Sequence, residues 1–199
     1  MLAGKPMLEW SVAALRAVPT VERIVVALPA NQLHAAPAGT IAVAGGELRS
    51  QSVRAALHAC GRGDPVIVHD AARPLASPDL FARALAELAR SRADGVIAAI
   101  PVSDTIKEVD FPGGKVISRT LERALLRAVQ TPQVFRRAAL DEALAQASDD
   151  ALAAATDDAW LVERWGGVVR VVESSAENLK ITTATDLRVA ELLLAERAA

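Results

Sequence analysis

Two rhythms alternate along the chain. Short apolar runs are separated by longer stretches whose apolar residues recur every three or four positions. Behind Pro6, the residues Leu8, Val12 and Leu15 fall at helical spacing and predict a helix over 6–18. The runs at 23–28 (RIVVAL), 40–44 and 66–69 are too short for helices and read as buried strands. Gly45-Gly46 ends the second of these, and a helix over 49–60 follows with Val53, Ala56 and Leu57 on one face. Ser77-Pro78-Asp79 supplies a capping serine, a proline at the first helical position and an acid in the first turn, so a helix runs to about Ser91. The run 95–100 (GVIAAI) is a strand stopped by Pro101. Farther on come a helix over 136–147, a helix opened by Thr156-Asp157-Asp158 and closed near Gly166-Gly167, and a strand over 168–173. A last amphipathic helix spans 183–197, with Leu187, Ala190, Leu193 and Leu194 on one face.

Short strands alternating with helices predict an α/β fold, a Rossmann-like and mostly parallel sheet with helices on both faces. Residues 102–131 break the alternation. Strand-like segments at 105–109 and 115–119 flank Pro112-Gly113-Gly114, which is hairpin turn chemistry. With few large apolar residues this segment cannot form a core of its own. It is expected to project as an arm over about 104–125 and to pack on a second subunit, a floppy surface loop being the alternative. No repeat, low-complexity tract or linker divides the chain, so residues 1–199 form a single domain. A doubly wound sheet ordinarily opens on a strand and a glycine-rich turn. Here no strand precedes Pro6, and Gly4-Lys5-Pro6 is too sparse for a phosphate cradle, so the first strand is expected to be missing.

Composition removes several classes of function. A net charge of −2 with 3% aromatic residues and no tyrosine argues against nucleic acid as a partner. The single cysteine, Cys60, excludes a disulfide framework. There is no apolar run of membrane-spanning length and no basic-then-apolar leader, so no membrane is expected as a partner and the cytoplasm is the expected compartment.

The chemistry-bearing residues collect after strands. Asp70 follows the run 66–69, at the strand end where open α/β sheets bind ligands. One carboxylate there suits Mg²⁺, which combines one or two carboxylates with substrate phosphates; a turn-capping aspartate is the alternative. His69 reads as a hydrogen-bonded packing residue and Arg73 as a brace for Asp70 or the loop after it. Gly45-Gly46 with Arg49 and Ser52 forms a turn into a helix whose backbone N–H groups suit close approach of a nucleotide, or a plain strand-to-helix turn. Asp104 and Thr105 follow another strand end, and Arg123 and Lys180 are isolated cations. Asp157 and Asp158 suit a helix N-terminus and need no catalytic explanation.

Taken together in order, GGxxRxxSV at 45–53, HDAARP at 69–74, PVxDTIK at 101–107, TPQVF at 131–135, TDDA at 156–159 and ENLKIT at 177–182 resemble one family. It is the 2-C-methyl-D-erythritol 4-phosphate cytidylyltransferases of non-mevalonate isoprenoid synthesis, a branch of the nucleotide-diphospho-sugar transferase superfamily. The resemblance implies that Asp70 binds the divalent metal, Mg²⁺, that bridges the phosphates of CTP. It implies that Gly46, Arg49, Ser52 and Ala71 lie along the nucleotide, that Thr131 shapes the site, and that Lys180 and Arg123 position methylerythritol phosphate. Thr105 and Arg123 would belong to an arm that reaches the partner's active site in a homodimer.

The resemblance also has a gap. Family members open with a strand, a loop of the AAGxGxR type and a downstream PKQ-like segment, whose arginine and lysine stabilise the phosphates. None of these motifs occurs here, and Lys5 is not their lysine. Loss of one anion-stabilising donor costs on the order of 10²–10³ in rate in comparable sites, which implies near-inactivity of the 199 residues alone. A missing strand also implies reduced solubility. Two alternatives remain: a non-catalytic nucleotide-binding or dimerisation homologue, and another sugar-phosphate nucleotidyltransferase.

Overall fold

The computed structural model describes residues 1–198. In chain order its elements are α1 (Met7–Arg16), β1 (Val25–Leu28), β2 (Ile41–Ala44), α2 (Arg49–Ala59), β3 (Val66–Val68), α3 (Pro78–Arg90) and β4 (Gly95–Pro101). They continue with β5 (Lys107–Val109), β6 (Ile117–Thr120), β7 (Arg127–Phe135), α4 (Arg137–Gln146), α5 (Asp149–Ala154), α6 (Asp158–Arg164), β8 (Val169–Glu173) and α7 (Ala184–Ala198).

Four strands form the central sheet in the order β3-β7-β4-β8. Side chains alternate across it, as the two-residue period of a strand requires. Val66, Ile97 and Phe135 face one apolar layer with Leu140, Leu144, Leu161 and Val162 of the helices. Val96 and Val134, one residue displaced, face the other with Ala84 and Leu88 of α3. The sheet is therefore covered by helices on both sides, as the sequence predicts for an α/β chain. Gly95 lies where the first layer is tightest: a Cβ there would sit 2.7 Å from the Phe135 ring.

The strand between β3 and β4 is β7, which runs antiparallel to both. Parallel pairing holds for β4 with β8 and for β1 with β2. The sheet system is thus mixed. The hydrophobic pattern does not announce β7, because Pro132 interrupts the run and a proline argues against a central strand. The structure accommodates it in a bulge. Ile97 pairs with Gln133 and Ala99 with Val129, so the ladder is broken across Gln130-Thr131-Pro132. The short α5 is likewise absent from the sequence reading. The other predicted helices and strands begin and end within two residues of their predicted limits.

β1 and β2 form a separate two-stranded sheet. Residues of β1, β3, α1 and α2 line one cleft of about 730 Å³, apolar along the strands and polar at the end that holds Arg49, Ser52, His69, Asp70 and Ala71. β5 and β6 pair only with each other, as the predicted hairpin. Its tip is a turn in which the Gly114 N–H donates to the Phe111 carbonyl at 2.8 Å. Pro112 and Gly113 occupy the two central positions, and Gly113 has a φ of 83°, the left-handed value a type II turn demands there.

Candidate active site

β3 delivers Asp70 to the carboxyl edge of the sheet, and a turn follows at once: the Asp70 carbonyl accepts from the Arg73 N–H at 2.9 Å. The carboxylate lies between two cations. Oδ2 is 2.9 Å from Lys180 Nζ and Oδ1 is 3.5 Å from Arg49 Nη2. Only 18% of the Asp70 side chain is exposed, against 46% for Lys180. Burial acts to raise the Asp70 carboxyl pKa. The Lys180 hydrogen bond and the charges of Arg49, Lys180 and Arg73 outweigh it, and the group is held below the ordinary carboxylate range.

The bulge in β7 aims Thr131 at this turn. Its Oγ1 accepts from the Asp70 N–H at 3.0 Å and lies 2.9 Å from His69 Nδ1. The other ring nitrogen, Nε2, faces the Arg73 carbonyl at 3.2 Å. A carbonyl only accepts, so Nε2 carries the proton, and Nδ1 receives the Thr131 hydroxyl proton. Burial lowers the His69 pKa to about 4, consistent with a neutral ring. His69 also meets Phe81 edge to face, with centroids 4.9 Å apart. It is the packing residue the sequence suggests, and it locks the turn that carries Asp70.

Lys180 is fixed from behind. Arg73 Nη1 donates to the Asn178 carbonyl at 2.7 Å, and the Ile181 N–H donates to the Ala72 carbonyl at 2.8 Å. The Asn178 amide donates to Gln130 Oε1 at 2.8 Å and to the Thr131 carbonyl at 2.9 Å. The loops at 70–74 and 177–182 and the bulge of β7 are therefore one unit. Arg73 braces the loops and does not pair directly with Asp70.

Arg49 opens α2 and is held from the far side. Its Nη1 donates to Asp158 Oδ2 at 2.6 Å, and the Asp158 side chain is 1% exposed. The sequence reading treats Asp157 and Asp158 alike, as acids at a helix N-terminus, and here the structure separates them. Asp157 is the cap, with Oδ1 accepting from the Trp160 N–H at 2.8 Å and Oδ2 from Gln133 Nε2 at 2.8 Å. Asp158 is turned into the interior toward Arg49. Burial raises its carboxyl pKa, and Arg49 pulls it back only in part. Arg49 itself is raised: burial lowers it, and Asp158, together with Asp70 and Asp157, more than compensates.

Asp70, Arg49, Lys180 and Thr131 thus converge, and Ala71 follows Asp70 in the same turn. Ser52 lines the same cleft, and its Oγ accepts from the Gly46 N–H at 3.1 Å, closing the turn that precedes α2. Thr105 and Arg123 are not brought into this group. Both lie with the arm, where Arg123 Nη1 donates to the Ser103 carbonyl at 2.6 Å. Sequence reasoning missed Gln133, Asn178 and Asp158. A signal for the last existed: one acid suffices to cap α6, and a second beside it abuts the buried Ala159, Leu161 and Val162.

Among the described residues no group of three His, Cys, Asp or Glu side chains could cage a metal ion. Asp70 instead presents a single carboxylate at the cleft. That suits Mg²⁺, which needs only one or two protein carboxylates where a substrate supplies phosphate oxygens.

The model of the 2-C-methyl-D-erythritol 4-phosphate cytidylyltransferase family matches residues 1–196. The enzyme of that name from Nocardia farcinica is 44% identical over 204 aligned residues, spanning 100% of this chain and 85% of the relative. Its namesake from Symbiobacterium thermophilum is 45% identical over 203 residues, spanning 99% and 84%. The crystal structure of the Thermus thermophilus cytidylyltransferase superposes with a TM-score of 0.82 at 39% identity, covering 97% of this chain and 90% of that one.

Proposed function

The chain belongs to the 2-C-methyl-D-erythritol 4-phosphate cytidylyltransferase family, and from that membership we propose a role for each residue of its site. The reaction is the family's: CMP passes from CTP to 2-C-methyl-D-erythritol 4-phosphate, and pyrophosphate leaves, a step of isoprenoid precursor synthesis. A phosphate oxygen of the acceptor attacks the α-phosphorus of CTP, and the bond to the bridging oxygen breaks. No covalent enzyme intermediate is needed, so the protein contributes positioning and charge.

Three groups of residues share that work. Gly46, Arg49, Ser52 and Ala71 line the nucleotide. Arg49 stands at the turn into α2, where a donor suits an anion or a base edge, and the Gly46 N–H, bonded to Ser52 Oγ, holds that turn in shape. Lys180 neutralises charge on the acceptor phosphate and is aimed by Asn178 and Arg73. Thr131 holds the Asp70 turn rigid. Asp70 is the residue that would hold Mg²⁺, which when bound supplies charge neutralisation for the phosphates. Arg123 and Thr105, with the arm, are assigned to the acceptor site of a partner subunit in a homodimer. The bare apolar side chains of the arm support this. The cytoplasm, where CTP is supplied, is the proposed compartment.

The observation that carries the reading is the Asp70 carboxylate clamped between Lys180 and Arg49 at a strand end. The readout that tests it is substrate pairing. Pyrophosphate release, slow as it is expected to be, should require CTP, Mg²⁺ and methylerythritol phosphate together, and Asp70→Asn should suppress it further. Release with a sugar phosphate and another nucleotide in their place would reject the assignment.

A further inference from the structure

Asp158 is a buried acid whose only polar partner among the described residues is the guanidinium of Arg49. Its Oδ2 accepts from Arg49 at 2.6 Å, and its Oδ1 has no hydrogen-bond partner. The two residues are 109 positions apart in sequence, on α6 and α2. Burying a carboxylate is costly, and an apolar pair of similar volume would often serve stability as well or better. α6 does not need the acid, since Asp157 already caps it. The arrangement is instead directional. Asp158 grips Nη1, and the other terminal nitrogen, Nη2, is thereby turned toward Asp70 at 3.5 Å. Arg49 is 33% exposed, so its open side faces the cleft while its back is tied to the interior.

We propose that Asp158 is a positioning residue for nucleotide binding: it anchors the Arg49 guanidinium so that the fork faces the CTP phosphates and Asp70 without closing onto Asp70. The inference rests on the cytidylyltransferase reading given above. A planar fork is the side chain that can span two acids at fixed angles, and a lysine ammonium is not. Without the anchor, Arg49 is free to collapse onto Asp70, whose other oxygen already holds Lys180. The nucleotide side of the site suffers, and the acceptor side, held by Lys180 and its own braces, does not.

The test is a pair of variants assayed for both substrates, with CTP binding also measured by calorimetry. Asp158→Asn keeps shape and removes charge. It should raise the KM for CTP and weaken CTP binding about tenfold or more while the KM for methylerythritol phosphate stays within about twofold. Combined with Arg49→Gln, it should add nothing beyond Arg49→Gln alone, since both break one link. Arg49→Lys keeps the charge and lies on the half-exposed side, so it tests the fork even where Asp158→Asn fails to fold. It should lose as much CTP affinity as Arg49→Gln. Wild-type CTP binding in Arg49→Lys, additive losses in the double variant, or a lowered melting temperature in Asp158→Asn with CTP affinity unchanged would each overturn the inference. Preference of the parent chain for another nucleoside triphosphate over CTP would instead reject the assigned reaction.

Discussion

Thr131 has one hydroxyl and two obligations. It accepts from the Asp70 N–H and donates to His69 Nδ1, so the turn carrying Asp70 hangs on one oxygen. Thr131→Val keeps the shape and removes both bonds, leaving a partly buried N–H and a ring nitrogen without partners. Each such group costs about 1–3 kcal/mol. In a domain of 199 residues the melting temperature should fall by roughly 2–4 °C per kcal/mol. Thr131→Ser keeps the hydroxyl and should restore most of the loss in a calorimetric melt; an equal loss in both would show that the methyl group matters and the bonds do not. The same comparison explains which site residues the sequence discloses. Asp70 is legible because a strand end is a local signal, and so is Lys180, in the loop after β8. Asp158 is not. The apolar residues beside it mark it as the acid that turns inward, but its meaning comes from Arg49, 109 positions away in sequence.

Helix starts show the opposite case, a structure written in four consecutive residues. At the head of α7 the Asp186 N–H donates to Thr183 Oγ1 at 3.1 Å. Asp186 Oδ2 in return accepts from the backbone of Thr182 and Thr183 at 2.9 and 2.8 Å. This reciprocal box satisfies N–H groups that a helix end leaves free. The Thr182 and Thr183 bonds hold the Asp186 carboxyl down to about 2. A folded pKa below the unfolded one means that the unfolded chain takes up the proton first. The stabilisation is therefore complete above about pH 4 and lost as pH falls toward about 2. In urea titrations the stability advantage of the parent over Asp186→Asn should shrink across that window, and an advantage independent of pH would exclude the box as its source. Local caps at Ser77-Pro78-Asp79 and Thr156-Asp157-Asp158 make their helices readable in the same way. β7 was not readable because its proline lies in a bulge, and a bulge is defined by the partner strand. The strand hidden this way also presents Gln133, one of the site residues the sequence does not disclose, while Thr131 on the same strand is reached only through the family resemblance.

The arm poses a question that only the whole molecule answers. An isolated two-stranded hairpin is marginal in water. This one leaves Val109, Phe111, Val116 and Ile117 exposed, and Leu125 beyond it. Its internal polar contacts, Glu108 with Arg119 and Lys107 with Thr120, lie at the surface and contribute little. Covering those apolar side chains is the stabilisation a second copy would provide, and an isologous dimer would then send each arm to its neighbour's site. Two defective chains distinguish that arrangement from an arm that serves its own subunit. Arg123→Ala damages the arm, and Lys180→Ala damages the cleft. Each homodimer is then impaired at both sites. If arms are exchanged, a mixed dimer has one site with an intact Lys180 and a partner's intact Arg123, and a second site with neither. Random reassortment makes about half the dimers mixed, so about a quarter of all sites should be whole. Co-refolding equal amounts should therefore restore about a quarter of the parent's pyrophosphate release. If each arm serves its own chain, no mixture contains a complete site, and the activity should remain at the level of the two variants assayed apart.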